Sequence, residues 1–138
     1  MNRHKYITLL TVLLLLIPAV FTGCMEHAFP NDALDNYWRL ETKTKGGQTD
    51  QVDGVMFGFE RHIVMIEDLN NDFTRHGITT DTGDSLKLDF SMYPDTAVVL
   101  AGLNVVGIES TVVTFGVKYP KGRLILSNDQ VVLKFRKW

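Results

Sequence analysis

From Asn36 to the C-terminus, apolar residues recur at every second position in short runs, and turn-forming residues break the runs at close intervals. That period belongs to strands with one buried face, because successive side chains of a strand point to opposite sides of its sheet. Trp38 and Leu40 alternate with Arg39 and Glu41 until Lys45-Gly46-Gly47-Gln48 ends the run. Val55, Phe57 and Phe59 share one face of a second strand, and Glu60-Arg61-His62 leads tightly into Ile63–Glu67, where both faces are apolar. Asn70-Asn71-Asp72 is a turn, Phe73–Thr79 a weaker strand, and Asp81-Thr82-Gly83-Asp84 a hairpin signal before Leu86, Leu88 and Phe90. Val113-x-Phe115-x-Val117, Leu124-x-Leu126 and Val131-x-Leu133-x-Phe135 supply the last three strands.

One stretch departs from the rule. Between Pro94 and Ile108, Ala97, Val98, Leu100, Ala101, Leu103 and Val105 are too densely apolar for an exposed strand. Pro94-Asp95 reads as a helix start and Gly107 as a stop, so a short helix covering an open end of the sheet is expected. The fold class is therefore all-β. About eight antiparallel strands run up and down, with one short helix before the last three, and eight such strands can close into a barrel. Closure removes the edges that a sheet without disulfides would expose.

Before the strands comes a different kind of segment. Arg3, His4 and Lys5 are followed by the apolar run Ile7–Val20, somewhat short for a membrane span, which needs about 20 apolar residues. It ends in Phe21-Thr22-Gly23-Cys24, which resembles the lipobox of bacterial lipoproteins. The resemblance implies cleavage after Gly23, a diacylglyceryl thioether on Cys24 and a fatty acyl group, such as palmitate, on the new N-terminus. Met25 stands where many inner-membrane lipoproteins carry Asp, so the resemblance points to the outer membrane. The expected organisation is a signal peptide over 1–23, a lipidated tether over 24–35 and one barrel domain over 36–138. Cys24 is the only cysteine, so the domain has no disulfide and no thiolate nucleophile. With Arg3 and Lys5 removed, the net charge of −2 becomes about −4. The charges are scattered along the chain with no basic run, so neither nucleic acid nor an anionic headgroup surface is an expected partner.

The residues also resemble the lipocalin-like lipoproteins of bacteria. The resemblance is carried by Tyr37-Trp38-Arg39-Leu40, by the Leu/Val-rich helix ending Val106-Gly107-Ile108, and by Phe115-x-Val117, Leu124-x-Leu126-Ser127 and Val132-x-x-Phe135-Arg136-Lys137. It implies a barrel with an apolar interior and no established activity. It also implies an arginine near the end that packs over the early tryptophan, a part Arg136 would play against Trp38. Strand parity opposes that contact, since Phe135 inward sends Arg136 outward, and Trp38 as an ordinary core residue is the simpler expectation.

Reactive chemistry is sparse. Asp68-x-Asn70-x-Asp72 matches the opening of a calcium loop, but Phe73 and Thr79 stand where Gly and Glu are needed, so a hairpin turn is expected. His27, His62 and His76 have no spacing that makes a metal site, the serines lack a Gly-x-Ser-x-Gly elbow, and Glu67-Asp68 face opposite ways on a strand. No catalytic residue, metal or cofactor is expected. Arg75 has two readings. If Phe73 points inward, Arg75 does too, and could pair with a ligand carboxylate; if Ile78 sets the parity, Arg75 lies in water, the cheaper arrangement. The candidate ligand-binding set is Arg75, Trp38, Phe57, Phe59, Phe90 and Phe115. With Phe73 and Phe135 these rings can fill most of a barrel of this length, leaving at most a small pocket at one mouth. The leading functional reading is a non-catalytic binding module for a small apolar or amphipathic ligand, anchored through Cys24. The rival is an envelope interaction, structural or inhibitor lipoprotein with a filled core, and an enzyme with an unseen site is third.

Overall fold

The two-residue period becomes nine antiparallel strands and one helix in a computed structural model, which describes residues 33–138. In chain order these are β1 (Tyr37–Lys45), β2 (Gln48–Gln51), β3 (Val55–Glu60), β4 (Ile63–Asp68), β5 (Phe73–Asp81), β6 (Ser85–Asp89), α1 (Thr96–Val105), β7 (Val112–Lys118), β8 (Arg123–Ser127) and β9 (Val131–Lys137). Each strand from β3 onward pairs with the next, and β9 returns to β1 along Trp38↔Lys137 through Lys45↔Val131, with one irregularity between Leu40 and Thr42. The sheet is thus a closed barrel of eight staves, because β3 and β2 share the other edge of β1, one after the other. Among the described residues closure leaves only short stretches, β2 and Phe73–Gly77 of β5 among them, without a strand neighbour on one side.

The extra strand is β2. Gln48-Thr49-Asp50-Gln51 has no apolar residue and lies wholly exposed, so it carries no alternation signal. It forms because Gly46 (φ 58°) and Gly47 (φ 81°) make a two-residue turn with both φ values positive, the hairpin turn that matches strand twist. Thr44 and Thr49 then share a cross-strand hydroxyl hydrogen bond of 2.8 Å.

Both ends of the barrel are covered. At one end α1 lies across the opening with Val99 and Leu103 buried beneath it. The Asp95 side chain accepts the Val98 N–H, and at the far end Gly107 (φ 85°) turns the chain while Gly107 and Ile108 N–H groups donate to Asn104 and Leu103. Lys43 Nζ donates to the last helical carbonyl, that of Val105, at 3.0 Å, and Lys45 pairs with Glu109. Gly102 sits directly on the Phe73 ring, too close for any side chain. At the other end the buried Trp38 indole donates to the Leu34 carbonyl at 3.0 Å, pinning the segment that enters β1.

Candidate functional site

The rings named in the sequence come together, and what they build is a packed core. Phe57, Phe90 and Phe115 are 0% exposed, Trp38 and Phe59 at most 4%. Phe57 meets Phe135 edge-on at a centroid distance of 4.9 Å, and Phe90 packs so closely on Gly77 that a Cβ there would lie 2.7 Å from the ring. Leu40, Ile66, Leu86, Leu88, Leu124 and Leu133 close the spaces between them. Arg136 points away from Trp38, toward Glu41, as parity requires.

Arg75 lies on the inward parity. Gly77 and Thr79 are buried while Ile78 is half exposed, so Ile78 does not set the strand's orientation; the expectation of Arg75 in water is corrected. The reason is local. β6 pairs with β5 only along Ile78–Asp81, which leaves Phe73–Gly77 beside the connection to α1 instead of a neighbouring strand. The Arg75 guanidinium fills that gap, 4.8 Å from the Phe73 ring centroid and 5.4 Å from that of Tyr93, with one nitrogen donating to Thr74 O at 2.7 Å. Tyr93 Oη in turn accepts the His76 N–H at 2.9 Å. Arg75 Nε is buried without a hydrogen-bond partner, and among the described residues Arg75 forms no ion pair.

The Asp68 segment is a hairpin turn. Asp68 is buried, its Oδ1 accepts the N–H groups of Asn70 and Asn71, and its Oδ2 accepts from Asn71 Nδ2 at 2.6 Å. The carboxylate is thus occupied by its own loop. Among the described residues no three His, Cys, Asp or Glu side chains cluster as metal ligands, and no helix is long and apolar enough to cross a membrane. Cys24 and His27 lie outside the described residues.

The outer wall carries a feature that residue order hides. Arg39 on β1 stands opposite Arg136 on β9, and Arg136 stands opposite Arg123 on β8. Three arginines from three strands therefore form one lateral row, where directly opposed side chains start about 5 Å apart. Glu41 lies among them, pairing with Arg123 and standing 3.6 Å from Arg136 Nε, and Asp53 pairs with Arg39. Two carboxylates thus answer three guanidiniums. Beside the row, Trp138 is 73% exposed and donates its backbone N–H to Tyr37 O at 3.0 Å. Trp138, Met56, Leu69 and Arg39 line a concavity of about 280 Å³; Arg39, Arg136, Glu41 and Gln51 line another of about 390 Å³. Charges scattered along the sequence are thus gathered by barrel closure into one mixed cluster, in which each arginine has a carboxylate partner. A third opening, about 570 Å³, also lies on the outside, over Gly58, between Tyr37, Ile63, Met65 and His76.

A family model described as a lipocalin-like domain matches residues 19–138. The structure of a lipocalin-like protein from Bacteroides uniformis superposes with a TM-score of 0.63 at 20% identity, covering 76% of this chain and 98% of that one. That of an uncharacterized protein from Bacteroides eggerthii does so with a TM-score of 0.61 at 16% identity, covering 76% and 99%. No curated protein sequence matches the chain. These likenesses show an all-β antiparallel barrel with one short helix.

Proposed function

The chain belongs to the lipocalin-like domain family, and from that premise we propose a lipid-anchored protein of the bacterial envelope that acts through the outside of a filled barrel. One observation carries the choice between inner and outer recognition: Phe57, Phe90, Phe115 and Phe135, all 0% exposed, occupy the space in which a barrel of this kind would hold a ligand. A small-molecule site of the usual sort is a concave, largely preformed cavity, and the concavities described above open on the outer wall. The anchor reading rests on the leader and on Phe21-Thr22-Gly23-Cys24, with Met25 favouring the outer membrane. Each acyl chain would contribute on the order of 10 kcal/mol to attachment, so two or three would hold the protein permanently.

Native mass spectrometry of the protein purified from its own cells tests the choice. The expected spectrum shows the acylated chain alone; a reproducible additional lipid-sized mass would return the interior to the leading role. Cys24→Ser tests the anchor: the variant is expected to leave the membrane fraction, and unchanged retention would remove the lipoprotein reading.

A second reading has its own support in Arg75. A guanidinium with a buried unpartnered Nε, stacked on Phe73 and Tyr93, suits the carboxylate of an amphipathic ligand entering between β5 and α1. Titration with a long-chain fatty acid, and its loss in Arg75→Ala, would support this; equal uptake by both proteins would dismiss it.

A further inference from the structure

We propose that Arg39, Arg123 and Arg136, together with Trp138, seat the barrel wall on the phosphates of the lipid headgroups in the membrane that holds it. The inference rests on the lipid anchor proposed above and adds an orientation to it.

The row is cationic beyond its own needs. Three guanidiniums share Glu41 and Asp53, which leaves one positive charge in excess of those two carboxylates, and Lys121 adds another in the β7–β8 turn. Planar guanidiniums bind phosphate oxygens in pairs, and a row on neighbouring strands presents three of them to a flat array of phosphates. The apolar half of the patch is Trp138 and Leu69, which are 73% and 63% exposed, with Met56 between β1 and β4. A tryptophan beside arginines is the composition of a membrane–water interface.

Chain geometry puts the patch within reach. Trp138 is hydrogen-bonded through its backbone to Tyr37, four residues from Ala33, where the described chain begins. Cys24 is nine residues before Ala33, at most about 30 Å of extended chain. A lipid on Cys24 therefore holds this end of the barrel at high local concentration over the headgroups, where even weak contacts persist. The acidic 570 Å³ opening beside Tyr37, with Asp35 and Glu60 at its rim, lacks such charge complementarity.

The test uses the full lipidated protein and reads Trp138 directly. The protein is placed in phosphatidylethanolamine–phosphatidylglycerol vesicles and, separately, in nonionic detergent micelles, which have no phosphate. A Trp138→Phe variant supplies the background from buried Trp38. In vesicles, Trp138 emission should shift to the blue and be shielded from iodide; in micelles it should not. Arg39→Gln, Arg123→Gln and Arg136→Gln should each lower the docked-to-free ratio by about fivefold before discounting for Glu41 and Asp53. Should Arg39→Gln or Arg123→Gln fail to fold, Arg136→Gln keeps the Arg123–Glu41 and Arg39–Asp53 pairs and still reports. Equal iodide quenching in vesicles and micelles, or shielding unchanged in the arginine variants, would overturn the proposal. The acyl mass on Cys24 is measured first, so a failed anchor is recognised as such. In that event the same chain is spun down with the vesicles: salt-sensitive binding would uphold the row, and no binding would overturn it.

Discussion

Gly102 shows how little room single residues have here. A Cβ at that position would lie 1.8 Å from the Phe73 ring, with other ring atoms at 2.3 Å, so α1 rests on the barrel mouth with no tolerance for a methyl group. Gly102→Ala should cost about 1–3 kcal/mol by overpacking, although alanine favours a helix intrinsically. In a Phe73→Ala background the same change should cost much less, because the clashing ring is gone. Urea denaturation of the four proteins measures this; additive costs would mean that the helix does not sit on Phe73. Tyr119 poses a different constraint. Its hydroxyl is buried without a partner, as is Asp81 Oδ2, and burial followed by the Asp81 charge pushes its pKa above the ordinary 10.0. The folded state therefore holds the phenol proton more tightly than the unfolded chain does. That contribution is complete below about pH 10 and is lost as pH rises from there toward the folded value. Tyr119→Phe should flatten the alkaline part of the stability profile and, by deleting an unpaired buried hydroxyl, be neutral or slightly stabilising at pH 7. An unchanged alkaline slope in urea titrations at pH 8 to 11 would refute the assignment.

Elements were legible to the degree that each has its own apolar period. β1, β3 and β6 to β9 announce themselves by alternation, β4 by a short run apolar on both faces, and α1 by an apolar density that no half-exposed strand would carry, while β5 is the weakest of the strands that could be read. β2 was not legible because it buries nothing; only the Gly46-Gly47 turn encodes it, and that turn reads equally well as a break. The orientation of Arg75 was hidden by Gly77 and Thr79, small residues that occupy inward positions without looking like a core face. The arginine row was hidden more deeply. Arg39, Arg123 and Arg136 become neighbours only through the β1–β9 and β8–β9 registers, which no local pattern states. Turn chemistry, by contrast, was readable: the β4–β5 connection is held by Asp68, a buried carboxylate that accepts three hydrogen bonds. Asp68→Ala strands those donors and should cost about 2–4 kcal/mol. Added calcium should leave the melting temperature of the wild type unchanged, since three of the roughly four acceptor positions are already taken by the loop itself; a calcium-dependent rise would reinstate the loop as a cation site.

At the scale of the molecule, the barrel is closed three ways: around its girth by β1–β9, at one end by α1, and at the other by Leu34 against Trp38. A container closed on every side must be either empty or solid, and the aromatic rings make this one solid. The distinction is testable because it is reversible by one substitution. Phe57 is fully buried, touches Phe59 and Phe135, and lies opposite Trp38 and Ile66 in the ladders of β3. Phe57→Ala should therefore cost about 3–5 kcal/mol and leave an apolar void, because such a core relaxes only in part. Dry cavities of that origin accept small apolar molecules such as benzene. The variant should bind benzene, seen as a rise in its melting temperature with added ligand, while the wild type shows no rise. If the wild type is stabilised as much as the variant, the interior already holds space, and recognition moves from the wall back to the inside of the barrel.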